Sequence, residues 1–279
     1  MTAADMDLVR VAACQVSLRV GEIARNQAAG LDAIWTAARA GAQVIILPEL
    51  APAGYVFDSP AEARAAGETA DGPTVTGWAA AAADRGVVII GGFAELGADG
   101  LLYNSAVLVD PDGVRAVYRK AHLWDAENDF FTPGAAPPPV VTTRFGAIAM
   151  MICYDVEFPE WVRLPALAGA DLLAVPTNWP ADVVPPPPGE RPNVVVNVQA
   201  AALANRMFIA AACRCGAERG VSWVGGSLIA GPDGYPLAGP AGPDRPELII
   251  ADCALGQARD KATSTRNNPH QDRRPELYG

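Results

Sequence analysis

Histidine occurs only twice in these 279 residues, at His122 and His270. Catalysis by a cysteine–histidine pair would have to use His122, because His270 falls in a polar C-terminal stretch. Cysteine is scarce too. Five residues, an odd number without regular spacing, argue against a disulfide framework and make a reducing cytoplasm the expected setting. Basic residues are outnumbered, 21 Lys and Arg against 31 Asp and Glu, and a net charge of −10 excludes a nucleic-acid footprint. No apolar run reaches the ~18 residues needed to span a bilayer. Met1-Thr2-Ala3-Ala4-Asp5 lacks the basic and apolar regions of a signal peptide, so secretion by that route is not expected. The sequence also lacks an internal repeat and a linker-like break in composition. Pro185 to Pro188 reads as a stiff surface loop.

What is present is a core. An apolar fraction of 51% with 19% charged residues describes a well-buried globular chain. Leu8 to Val16 and Val44 to Leu47 read as strands, with a helix from Glu22 to Ala40 between them and Gly41 at its end. Further helices are expected at Thr74 to Arg85, from about Glu157, and at Asn193 to Asn205. Further strands are expected at Val87 to Gly92, Ala147 to Ile152, Leu172 to Val175, Phe208 to Ala212, Ser227 to Ala230 and Leu248 to Ala251. Asp110-Pro111-Asp112-Gly113 is the turn of a hairpin joining Tyr103–Val109 to Val114–Tyr118. Strands alternating with helices, interrupted by hairpins, predict a layered α/β fold in one domain, residues 1–279, with a polar tail from about Arg259.

Three of these strands end in a reactive side chain. Glu49 follows Pro48, which stops the second strand; Lys120 ends the hairpin; Cys153 ends the run from Ala147. A cysteine between a strand and a helix has backbone N–H groups and a helix dipole available to favour its thiolate, although free cysteine is also commonly a buried core residue. Together a carboxylate, an ammonium and a thiol suffice for acyl transfer. The carboxylate takes and returns a proton, the sulfur holds the acyl group, and the ammonium with the Tyr154 N–H stabilises the oxyanion.

The motifs around them resemble those of the nitrilase superfamily of carbon–nitrogen hydrolases. The matching pieces are Leu47-Pro48-Glu49-Leu50 with Gly54-Tyr55, Tyr118-Arg119-Lys120-Ala121-His122-Leu123, and Cys153-Tyr154-Asp155. Asp110-Pro111-Asp112-Gly113, Phe131-Thr132-Pro133-Gly134 and Asp272-Arg273-Arg274-Pro275-Glu276-Leu277-Tyr278 extend the match along nearly the whole chain. The resemblance implies a four-layer α-β-β-α sandwich, with Glu49 as general base, Lys120 as oxyanion stabiliser and Cys153 as nucleophile. It also implies a role for Glu127, seven residues before Gly134, in positioning substrate or Lys120. It implies homodimers or larger assemblies and no cofactor. Two departures concern packing: Ala204 stands where many relatives have glutamate, and Cys213 precedes Arg214 where many have asparagine.

Tyr154-Asp155 after the cysteine looks more like the amidase and carbamoylase branches than like nitrilases proper. The expected activity is hydrolysis of a small carboxylic amide with release of ammonia. Nitrilase or N-carbamoyl-amine hydrolase activity is the alternative, and a silent scaffold the rival outside enzymes. Tyr55, Tyr154 and Trp179 are expected to line the pocket, with Arg191 within reach. Cys213-x-Cys215 is half of a zinc pattern with no nearby histidine and reads as core. Gly91-Gly92 and Gly225-Gly226 read as points of close backbone approach.

Overall fold

The computed structural model describes residues 8–181 and 186–278. The start of the chain and Pro185 of the polyproline stretch lie outside them; Pro186 to Pro188 are exposed. In the first half of the chain run β1 (Val9–Gln15), α1 (Ile23–Arg39), β2 (Val44–Ile46), α2 (Pro60–Ala65), α3 (Pro73–Arg85), β3 (Val88–Leu96), β4 (Leu102–Asp110) and β5 (Gly113–Arg119). After α4 (Glu127–Phe130) come β6 (Val140–Thr143), β7 (Gly146–Met150), α5 (Pro159–Leu167), β8 (Leu172–Pro176), α6 (Asn193–Asn205) and β9 (Phe208–Ala212). A short ribbon, β10 (Ala217–Glu218) with β11 (Val221–Ser222), precedes β12 (Leu228–Ala230), β13 (Pro236–Ala238) and β14 (Glu247–Cys253).

The strands form two six-stranded sheets, ordered β14-β1-β2-β3-β4-β5 and β13-β12-β9-β8-β7-β6. Their alternation shows how the layers are made. Val9, Val11 and Ala13 of β1, with Val44 and Ile46 of β2, enter the cluster between the sheets. Ala12, Cys14, Ile45 and Leu47 face the other way, onto Ile34 and Ala37 of α1 and Trp78 of α3. The second sheet is buried on both faces, its outer face meeting Val162 of α5 and Val195, Val198 and Ala202 of α6. The result is the expected α-β-β-α sandwich. Each fully buried aliphatic side chain between the sheets contributes ~1.5–3 kcal/mol by leaving water.

β1, β2 and β3 run parallel, as do β7, β8 and β9, so their C-terminal ends gather on one side of each sheet. Two local outcomes differ from the sequence reading. β3 continues past its glycine pair to Leu96, because β4 pairs with it from Ile89 through Leu96. The helix after Cys153 starts only at Pro159; Cys153–Glu157 is a 3₁₀ turn. Two short helices escaped the periodicity. α2 is capped by the Ser59 side chain, which accepts from the Glu62 N–H, and α4 carries Glu127. The polar tail is tied to the end of α6: the Lys261 ammonium donates to the carbonyls of Asn205 and Arg206. No helix among the described residues is long and apolar enough to cross a membrane.

Candidate active site

Each candidate side chain follows a strand end and is placed by backbone contacts. Pro48 and Glu49 follow β2, and the Gly92 N–H donates to the Pro48 carbonyl at 3.0 Å. A Cβ on Gly92 would lie 2.5 Å from the Glu49 Cα, so the close approach expected of this glycine is real and sits against the site. Lys120 follows β5; its N–H donates to the Asn104 carbonyl and its own carbonyl accepts from Gly134, both at 2.8 Å. Cys153 follows β7 with φ of +47°, a left-handed conformation unusual for a residue with a side chain. The sharp turn ends the strand and starts the 3₁₀ turn in one step.

The four titratable side chains converge. The Lys120 ammonium donates to Glu49 and to Glu127, 2.7 Å from each, and Lys120 and Glu49 are fully buried. Asn104 donates to the same Glu49 oxygen at 2.7 Å, and the Tyr55 hydroxyl donates to Glu127. The Cys153 Sγ is 3.8 Å from the Asn178 carbonyl, while the Asn178 amide donates to the Glu49 carbonyl at 2.9 Å. Asn178 thus joins the loops bearing the thiol and the carboxylate. The second Glu49 oxygen, Oε2, is buried without a partner.

Burial pushes the Glu49 carboxyl up to about 7, with Lys120 opposing the shift and Glu127 adding to it. Burial pulls the Lys120 ammonium down, but the carboxylates of Glu127 and Glu49 outweigh it and hold the group well above its ordinary value. The Cys153 thiol is pushed well above its ordinary value by burial and then by the Glu49 carboxylate, against the pull of Lys120. The long helix begins only at Pro159, too far on for its dipole to favour the thiolate, and burial shifts the thiol upward rather than down.

A cavity of about 430 Å³ opens on Cys153, with Tyr154, Asn178 and Trp179 on its wall. A second, of about 390 Å³, opens on Glu127 and Tyr55; Trp124, Pro180 and Trp223 border both. All three expected pocket aromatics therefore line one cavity or the other. Arg191 lines neither, since its guanidinium donates to Gln199 at 2.7 Å. A larger hollow of about 910 Å³, beside Thr142, Asp171 and Arg259, holds none of the candidate residues. His122 is spoken for. Its ring lies 2.8 Å from Asp155, stacks on Phe158 at 3.8 Å and lines neither cavity.

Residues 10–263 match the family model for carbon–nitrogen hydrolases. A nitrilase of Pyrococcus abyssi is 37% identical over 97% of this chain and 99% of its own length. The chain belongs to the carbon–nitrogen hydrolase family. A crystal structure of an amidase from Nesterenkonia sp. is 31% identical and superposes with a TM-score of 0.78 over 96% of this chain and 94% of that one. A mutant of the amidase from Nesterenkonia sp. AN1, 30% identical with a TM-score of 0.78 over 96% of this chain and 95% of that one, carries the acetamide moiety of fluoroacetamide on its active-site cysteine.

Sequence reasoning missed the supports of this carbon–nitrogen hydrolase site. Asp155 is fully buried and accepts from the Tyr118 hydroxyl at 2.7 Å, the His122 N–H at 3.0 Å and the Ile152 N–H at 3.2 Å. It ties the cysteine turn to the lysine strand. Asn104 had a signal, since with Ser105 it is polar inside the mostly apolar, fully buried β4 and needs a buried partner. Arg214, noted only as part of a departure, is fully buried and pairs with Glu218 at 2.7 Å. Glu218 in turn accepts from the N–H groups of Tyr55 and Val56 at 2.9 and 2.8 Å. Cys213 and Cys215 are buried and free, and among the described residues no cluster suited to a metal occurs.

Proposed function

We propose that this chain hydrolyses a small carboxylic amide to the acid and ammonia through a thioester on Cys153. The observation that carries the reading is the buried Glu49–Lys120–Glu127 cluster beside a cysteine held at positive φ. The Cys153 sulfur attacks the amide carbon while Glu49 removes its proton; the unpartnered Oε2 is the oxygen left free to do so. An ammonium has three N–H groups. Two of those on Lys120 are engaged by Glu49 and Glu127, which leaves the third for the oxyanion. The Tyr154 N–H joins it from the first turn of the 3₁₀ segment, where a helix offers no acceptor. Glu49 returns its proton to the departing ammonia and then activates water to cleave the thioester.

Glu127 holds Lys120 in place, and Tyr55 holds Glu127. Tyr154 and Trp179 bound the acyl side of the pocket. The mutant Nesterenkonia sp. AN1 amidase supports a nucleophilic cysteine, since its active-site cysteine takes up the acetamide moiety of fluoroacetamide. Apolar residues left exposed on α5 and α6, Leu164, Leu167, Val196 and Leu203, suit the homo-oligomer that the reading includes.

The test is ammonia release from a panel of aliphatic and aromatic amides and the matched nitriles, with mass spectrometry of the protein. Steady ammonia release from amides, an acyl adduct on Cys153, and at least a thousandfold loss in Cys153→Ala are expected. Nitrile turnover above that of the matched amide would replace the amide with a nitrile as substrate.

A further inference from the structure

Ammonia is about the size of a water molecule, ~30 Å³ of liquid volume, yet the cavity on the Glu127 side measures about 390 Å³. That cavity is additional to the one of about 430 Å³ on Cys153, which is ample for a small acyl group. The proton taken by Glu49 must be returned to the leaving nitrogen. Glu127 shares the Lys120 ammonium with Glu49 and is the member of that cluster that meets the second cavity, so a leaving group on that side would lie beside the cluster that holds the proton. The walls there are aromatic. Tyr55 lies edge-on to Trp223 at 5.4 Å between centroids, and Phe57 lies edge-on to Phe130 at 5.9 Å. The Tyr55 hydroxyl is occupied by Glu127, so the face the tyrosine offers is its ring.

Resting on the amidase reading, we propose that the second cavity receives the amine half of a secondary amide, and that this chain hydrolyses N-arylalkyl amides as well as primary ones. The steps balance without any co-reactant but water. The Cys153 sulfur forms a bond to the carbonyl carbon and gives its proton to Glu49. The carbon–nitrogen bond breaks, and the nitrogen takes that proton to leave as the free arylalkylamine. Water then cleaves the thioester to the acid and restores the thiol. Trp124, Pro180 and Trp223, common to both cavities, form the partition between the acyl and amine halves.

The experiment pairs the best primary amide of the ammonia-release panel with its N-benzyl derivative, so that the acyl group is constant. Benzylamine release with kcat/KM within tenfold of ammonia release, absent in Cys153→Ala, is expected. Val221 lines only the second cavity. Val221→Trp fills it and should cut N-benzyl amide turnover at least tenfold while primary amide turnover stays within twofold. As a measurement on the unaltered protein, benzylamine added during primary amide turnover should trap the thioester as the N-benzyl amide, because the leaving group's cavity is also the path for its return. Primary amide turnover without benzylamine release or trapping overturns the proposal and leaves the amidase reading standing. Equal loss of both substrates in a folded Val221→Trp overturns it too. Silence toward every amide removes the amidase reading itself.

Discussion

In the proposed mechanism Glu49 decides when the thiol can react. With its carboxyl pushed up to about 7 by burial, it keeps its proton below that pH and acts as a base only above it. The kcat/KM of the amide reaction should therefore fall about tenfold per unit as pH drops below 7, the slope of one essential base. The rate of Cys153 alkylation by iodoacetamide should follow the same midpoint. A flat profile between pH 6 and 8 would remove Glu49 from the role. Glu127 adds to the upward shift of Glu49 through its charge. Glu127→Gln should then move the midpoint below 7 while costing at least tenfold in activity, about 1.4 kcal/mol. A residue with only a structural role would lower the rate and leave the midpoint in place.

Among the elements, the junctions carry the precision. β2 and β3 pair from Val44 with Val88 to Ile46 with Ile90, and two residues later Gly92 lies under Glu49. A methyl group there would lie 2.5 Å from the Glu49 Cα and 2.6 Å from the Leu50 nitrogen, and both are backbone. Gly92→Ala should destabilise the fold by about 1–3 kcal/mol, the usual cost of overpacking. It should also lower activity at temperatures where the protein is still folded, which circular dichroism read beside the assay distinguishes. The turn at Cys153 depends in the same way on Asp155. Its carboxylate gathers donors from β5, from the loop after it and from Ile152.

In the molecule as a whole, the site is a contact between the two sheets. Glu49 and Lys120 come from the first, Cys153 and Asn178 from the second, and the loop holding Arg214 and Glu218 braces the Tyr55 segment between them. Arg214→Met leaves the Glu218 carboxylate buried with no cation, which typically costs about 3–5 kcal/mol. The double variant Arg214→Met with Glu218→Gln should recover much of that loss, because a glutamine oxygen still accepts from Tyr55 and Val56. Urea unfolding of the three proteins measures it; a single variant as stable as the parent would show that the pair does not brace the fold.

Sequence alone determined the layers and the reactive types. The short apolar runs of β1 and β2, the helical spacing in α1 and the turn at Asp110–Gly113 are short-range patterns, set by burial, the helical repeat and turn chemistry. Glu49, Lys120 and Cys153 were legible because each ends a strand, and their motifs were specific enough to name the family. Only the tertiary structure decided what surrounds them. Tyr118 reaches Asp155, Asn178 reaches Glu49 and Arg214 reaches the Leu18 carbonyl from far away along the chain, while His122 is held by Asp155 and Arg191 is turned to Gln199. The upward shifts of the Glu49 carboxyl and the Cys153 thiol follow from burial, and the second cavity from loops that the fold brings together. Burial is a property of the packed whole and leaves no periodic mark on the sequence.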